Sequence, residues 1–165
     1  FRIHPATPVL DAWNLAEKHM DSYESPADSV GQMHMVVSAR LERELAAIED
    51  PEEKAMFLAD LGLSESALSK VISRTYKLLG LMSFLTAGDK EVRSWPVRVG
   101  ATAPEAAGVI HTDFQKGFIR AEVIGYADFL RAGDFKKAKE LGLARLEGKD
   151  YHVQDGDIIE FRFNV

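Results

Sequence analysis

Cysteine is missing from this 165-residue chain. Disulfides and thiolate-metal sites are therefore excluded within it, and a reducing, cytoplasmic setting is the expectation. No apolar run is long enough to cross a bilayer as a helix, so no membrane partner is expected. The G-x-x-x-x-G-K-S/T signature is absent too. Nothing here can wrap a triphosphate in backbone amides beside a lysine, or give Mg2+ its usual hydroxyl ligand. Positive charge is in deficit: 20 Lys and Arg stand against 26 Asp and Glu, a net charge of −6. Contact with nucleic acid would have to come from a local basic face, and DNA is not an expected partner. Internal repeats, low-complexity tracts and a signal-peptide pattern are also lacking. The sequence opens on Phe1, which reads as a cut end, so a piece of a longer chain is expected.

What is present falls into three regions. Residues 1–35 are punctuated by Pro5, Pro8 and Pro26, and Glu24 to Met35 has no clean period. Residues 36–80 read as helical. Asp50 is a good N-cap, Pro51 suits the first helical position, and Glu52 and Glu53 suit the positive end of a helix dipole. Met56, Phe57 and Leu61 supply an apolar stripe, and Gly62 a stop. From Ser64 a second helix places Leu68, Val71, Ile72 and Leu79 at helical spacing.

Beyond Leu81 the texture changes to strands. Leu81 to Thr86 and Glu91 to Val99 read as a hairpin turning at Ala87-Gly88-Asp89. Pro96 puts the second strand at an edge or a bulge. Thr102 and Pro104 open a main helix with Ala106, Ala107, Ile110 and Phe114 facing inward. In the strand Phe118 to Ile124, Ile119, Ala121 and Val123 face one way, and Arg120 and Glu122 the other. Lys136 to Leu141 reads as a short helix, and Leu143 to Leu146 and Tyr151 to Val153 as short strands. In the last strand Ile159, Phe161 and Phe163 face the core, and Glu160, Arg162 and Asn164 face solvent. This order describes an α+β fold: a mixed sheet gripping one helix, a β-grasp.

Few residues suggest chemistry directly. Asp150, His152, Asp155 and Asp157 form an acid and histidine cluster, but Asp155-Gly156 is a standard turn pair, so turn chemistry is expected and no metal. His111 and Asp113, two residues apart on the main helix, do not share a face and make no catalytic dyad. Met33, His34 and Met35 read as strand filler. Arg93, Arg98, Lys116, Arg120 and Arg162, with Trp95, Phe114, Phe118 and Tyr126 nearby, would make an RNA-binding face if they converge. Glu91, Asp113, Glu122 and Glu160 alternate with them, so a mixed solvated surface is the other reading.

The segments FLTAGDKEVRSW (84–95), AGVIHTDFQKGFIRAEV (107–123), RLEGKDY (145–151) and VQDGDIIEFRFNV (153–165) resemble the C-terminal region of the YchF / Obg-like ATPase family. That resemblance runs from about Val36 to Val165. It implies that residues 81–165 are a ubiquitin-like β-grasp module of the TGS type, and that residues 1–80 are the end of an α/β P-loop G domain plus a helical link. Val36-Val37-Ser38-Ala39-Arg40 is similar to the segment where the last G-domain strand meets the nucleotide base. Asn14, Leu15 and Glu17 are similar to the family's Asn-x-x-Glu motif. There, moving the acid weakens selection of guanine, whose two donor nitrogens a carboxylate accepts. Asp11 and Trp13 interrupt the apolar strand that usually precedes this motif.

The resemblance therefore implies nucleotide-binding roles for Asn14, Leu15, Glu17, Ser38 and Ala39. It implies ATP (or GTP) with Mg2+ as ligands of the intact protein, an ATPase as the parent enzyme, and a ribosome or ribosomal RNA as partner. The piece itself should hold no nucleotide tightly and hydrolyse nothing. Two other readings stay open: a stand-alone ubiquitin-like interaction module without nucleotide chemistry, and a TGS domain of another translation or stringent-response enzyme.

Overall fold

The computed structural model describes residues 7–20, 23–24, 26–28, 31–88 and 91–164, with the side chain of Glu17 excepted. Phe1, Pro5 and Asp89 of the expected turn lie outside the described residues. The chain divides into two compact units, 1–79 and 80–165.

The first unit is built on two parallel strands, β1 (Val9–Asn14) and β2 (Gln32–Val37), in register from Val9 opposite Gln32 to Asn14 opposite Val37. The aperiodic tract before Val36 thus ends in a strand, and the helical region begins only at Ala39. Asp11 does not break β1. It lies opposite His34, with its Oδ2 3.4 Å from His34 Nδ1 and accepting from Gln32 Nε2 at 3.1 Å. A polar residue is tolerated inside a strand when its cross-strand neighbours satisfy it.

Three helices follow: α1 (Ala39–Ala47), α2 (Pro51–Asp60) and α3 (Ala67–Leu79). Asp50 caps α2 through the amide of Glu52, with Pro51 in the first turn. Gly62, at φ 69°, lets the chain leave α2 by closing bonds from Gly62 N to Ala59 O and from Leu63 N to Leu58 O. The first turn of α3 is capped from a distance. Glu42 on α1 accepts from the amides of Ala67 (2.6 Å) and Leu68 (3.2 Å), tying α3 to α1. Met35, Leu41 and Leu45 form the buried interior of this unit. Leu68, Ile72 and Leu79, which fall at helical spacing on α3, are all exposed.

The second unit is a five-stranded mixed sheet. Its strands are β3 (Leu81–Ala87), β4 (Val92–Arg98), β5 (Phe118–Gly125), β6 (Arg145–Glu147) and β7 (Asp157–Phe163), in the spatial order β4-β3-β7-β5-β6. β3 and β4 form the expected antiparallel hairpin, with Pro96 on the edge strand. The parallel contact lies between β3 and β7, where Leu85 is opposite Ile158. One face packs its core, including Phe84, Ala121, Val123 and Phe161, beneath α4 (Ala103–Ile110) and α5 (Thr112–Lys116). The other face buries Ile124 against α6 (Tyr126–Ala132) and α7 (Phe135–Glu140).

Several expectations need correction here. The main helix is two helices, because His111 is extended (φ −160°, ψ 142°) and ends α4 while its Nδ1 caps the amide of Asp113 in α5. A register shift between Phe118 and Arg120 turns Ile119 outward, 56% exposed, so it does not join Ala121 and Val123. The helix α6 was not expected. The expected strand Leu143–Leu146 is Arg145–Glu147, and Tyr151 to Val153 contributes one bridge, His152 to Thr102.

Candidate functional site

In the first unit the ends of β1 and β2 and the start of α1 converge on a cleft of about 990 Å³. Asn14, Leu15 and Ser38 line it, joined by Lys18, Arg40, Leu41, Asp60, Leu61 and Leu63. Parallel pairing brings these walls together, because both strands deliver their C-terminal residues to the same end. Asn14 Oδ1 accepts the amide of Ala39 at 3.1 Å, and Leu15 N donates to Val37 O at 2.9 Å. Asn14 therefore stitches β1 to the start of α1, and its side-chain NH2 is the part left for a ligand. Ser38 is the N-cap of α1, its Oγ accepting from Leu41 N at 3.4 Å. The Ala39 amide, read as a base contact, is spent on Asn14. Ala39 is not among the lining residues, and the Glu17 side chain lies outside the described residues.

Lys18, Arg40 and Asp60 were not singled out from the sequence. Arg40 is held by Glu44 at 3.0 Å. No spacing rule links Lys18 to Asp60: the tertiary fold alone makes them neighbours across the cleft.

The five basic residues of the second unit do not converge. Cross-strand partners share a face, so Arg120, opposite Arg162, lies beside it on the face away from α4, together with the pair Glu122 and Glu160. Arg93 sits two residues from Trp95 and shares the α4 face, its guanidinium 4.1 Å over the Trp95 ring. Arg98 lies opposite Leu81, and Leu85 opposite Ile158, which sets Arg98 about 25 Å along the strands from Arg162. Lys116 ends α5, on the side of the sheet where Phe114 stacks on Phe163. Among the aromatics read with them, Phe118 is buried in the core and Tyr126 is exposed.

Around Arg120 and Arg162 the charges form a network. Glu122, buried, is bonded to Arg162 Nε at 3.1 Å and to Lys139 on α7. Lys139 and Arg162 also reach Glu160, at 3.2 Å and 3.1 Å. The hydrogen bond from Lys139 holds the Glu122 carboxyl below its ordinary range despite burial, and Arg162 adds to the effect. Glu122 in turn raises Lys139. Missed from the sequence, Lys139 and Arg145 line with Arg120 a pocket of about 310 Å³ beside this network.

The acid and histidine cluster is occupied with structure. Asp155 Oδ1 accepts from Ser83 N at 2.8 Å. Asp157, buried, accepts from Tyr151 OH at 2.7 Å and Gln154 N at 2.8 Å. Burial, then the Asp157 carboxylate, push the Tyr151 phenol well above its ordinary value.

The model of the YchF-GTPase_C family, described as "Protein of unknown function (DUF933)", matches residues 81–164. The chain is 56% identical over 147 residues to "Ribosome-binding ATPase YchF" of Haemophilus ducreyi, covering 89% of this chain and 40% of that protein. It is 55% identical over 131 residues to the Bacillus subtilis protein of the same name, covering 79% and 36%. The chain thus spans about two fifths of the length of these relatives. Among solved structures, the Schizosaccharomyces pombe YchF GTPase superposes with a TM-score of 0.76 at 31% identity, over 95% of this chain and 44% of that one.

Proposed function

Since the chain belongs to the YchF family, we propose that it carries the base end of a nucleotide site in its first unit and a ribosome-docking module in its second. The observation that carries the nucleotide half is the convergence of Asn14, Leu15 and Ser38 on one cleft. A base needs apolar flanks and a few fixed polar groups. Leu15, Leu41 and Leu61 supply the flanks, and the anchored Asn14 amide supplies a donor. We carry Glu17 and Ala39 as neighbouring members of the same site.

ATP (or GTP) with Mg2+ is the ligand proposed for the intact protein, and nucleotide hydrolysis its activity. The residues present fit the base and not the phosphates. This sequence has no glycine-rich, lysine-bearing loop, and the Ser38 hydroxyl is engaged as a helix cap. When bound, the metal would neutralise charge on the phosphates. This chain's own residues would orient the base and link its occupancy to α1 through the Asn14–Ala39 bond.

The second unit we read as a ubiquitin-like β-grasp of the TGS type. The reading is supported by the strand order β4-β3-β7-β5-β6, by the single parallel contact between the first and last strands of the unit, and by the helix that crosses between the hairpin and β5. Its proposed role is docking to ribosomal RNA, in the cytoplasm, with Arg120 and Arg162 the best-placed of the cations considered.

Calorimetry tests the first half. This chain should bind ATP far more weakly than a family member that carries the phosphate-binding loop, and equal affinity would overturn the division of roles. Co-sedimentation with ribosomes tests the second. Binding should fall as salt rises, and pelleting indifferent to salt would count against an RNA face.

A further inference from the structure

We propose that Asp60, at the end of α2, is a specificity-determining residue of the cleft, and that its carboxylate accepts a hydrogen bond from the exocyclic amino group of a purine. The inference rests on the base-cleft reading above and adds to it a third wall from a later helix.

Asp60 is the one carboxylate among the described lining residues. Lys18 and Arg40 line the same cleft, yet no hydrogen bond or ion pair joins either of them to Asp60 among the described residues, and Arg40 is directed to Glu44. An acceptor facing a cleft with cations near it, and left unpaired by them, is open to a donor on a ligand.

The end of α2 that carries it is closed by its own backbone bonds. Leu61 N donates to Phe57 O, Gly62 N to Ala59 O and Leu63 N to Leu58 O, which closes the end of α2. The helix after that turn is fastened to α1 by Glu42 through the amides of Ala67 and Leu68. Since α1 also starts at the Asn14–Ala39 bond, α1 and α3 share one framework with the strand ends, and Asp60 stands just before the turn that leads into α3. An acceptor beside an anchored donor discriminates among ligands, because less ordering is left to do on binding.

The remaining polar groups fit the same ligand class. Asn14 Oδ1 is committed to Ala39, so the Asn14 side chain offers only its NH2, a donor suited to a purine ring nitrogen or keto oxygen. Donor on one wall and acceptor on another match a base that carries both a ring acceptor and an amino group. Adenine does so at C6 and guanine at C2, each from its own edge. Hypoxanthine lacks the amino group but keeps an N1–H that a carboxylate can accept, so the unsubstituted purine base, which has neither, isolates the amino group.

The test is an NMR titration of the isotope-labelled 165-residue chain with AMP, GMP and purine riboside 5′-monophosphate, following the amides of 14–16, 38–41 and 60–63. AMP and GMP should bind about tenfold more tightly than the purine riboside nucleotide, the scale of one hydrogen bond to a charged group at a solvent-open site. In Asp60→Ala and Asp60→Asn that preference should shrink to about twofold or less, with the rest of the spectrum unchanged because Asp60 is exposed. Full retention of the preference in both variants would overturn the assignment, as would the purine riboside nucleotide binding as tightly as AMP and GMP to the unaltered chain. If none of the three moves the cleft amides, the base-cleft reading itself fails, and the role of Asp60 with it.

Discussion

Glu122 Oε1 and Arg162 Nε lie 3.1 Å apart across β5 and β7, with Glu122 buried and Arg162 half-exposed. Lys139 closes on the same carboxylate from α7, so one acid joins two strands and a helix. Removing that charge leaves two cations beside a partly dry surface. Glu122→Gln should destabilise the second unit by about 2 kcal/mol at neutral pH, read by urea unfolding. The pH dependence has a defined sign. The Glu122 carboxyl is held below its ordinary range, so its contribution is present above the usual glutamate value and is lost as pH falls through the lowered one. The variant's stability should therefore fall less steeply with acid than the unaltered chain's, and parallel curves would remove Glu122 from this account.

Gly117 joins α5 to β5 at ordinary dihedrals (φ −88°, ψ 8°), so its requirement is for space. A Cβ placed there would lie 2.0 Å from the carbonyl oxygen of Asn164, and Asn164 N already donates to Gly117 O at 2.9 Å. Two backbones cannot separate as a side chain can. Gly117→Ala should cost about 3 kcal/mol in thermal or urea unfolding, within the range of overpacked sites. An alanine variant as stable as the parent would mean that the end of β7 yields freely.

Tyr151 donates to buried Asp157 and accepts from Arg145 at 3.1 Å. Tyr151→Phe keeps the ring and takes a donor from a buried carboxylate, at a cost of about 1–2 kcal/mol. Spectrophotometric titration gives a second check. The phenol is raised by burial, so its stabilising effect is complete below the ordinary tyrosine value and fades as pH climbs toward the raised one. One tyrosine should ionise only at or after alkaline unfolding in the parent, and that step should be missing in Tyr151→Phe.

Much of this architecture is legible locally. Asp50 with Pro51, the hairpin around Gly88, the edge placement of Pro96 and the alternation of the last strand each follow from side-chain chemistry acting within a few residues. Features set by distant partners were not. The break at His111 has a signal in Thr112 and Asp113, both good first-turn residues, but continuous apolar spacing from Ala106 to Phe114 hides it. The outward turn of Ile119 depends on the register of β5 against β7, which alternation within one strand cannot report. β2 was read only in pieces, Met33 to Met35 as strand filler and Val36-Val37 through the resemblance, because His34 and Met35 are both buried and leave no alternation to trace. In the cleft, the resemblance located Asn14, Leu15 and Ser38. Asp60 lines the same cleft from the end of α2, a placement that no spacing encodes.

The second unit's cations separate into testable sets. Arg120 and Arg162 are cross-strand neighbours, whereas Arg93 is laid over Trp95 on the other face. In ribosome co-sedimentation, Arg120→Glu should lower the salt slope by about one unit and weaken binding more than Arg93→Glu does. The opposite ranking would move the docking face to the side of Trp95.

The two sheets differ in how they end. β4 presents Pro96, a residue with no N–H to offer, and β6 is only three residues long, so neither rim makes a good template. β1 and β2 have no such protection: each is six residues long, proline-free, and unpaired on its outer side among the described residues. Handling of the isolated 165-residue chain at high concentration should accordingly be limited by strand-to-strand self-association through residues 9–14 and 32–37, and a lysine on either rim is the change that should reduce it.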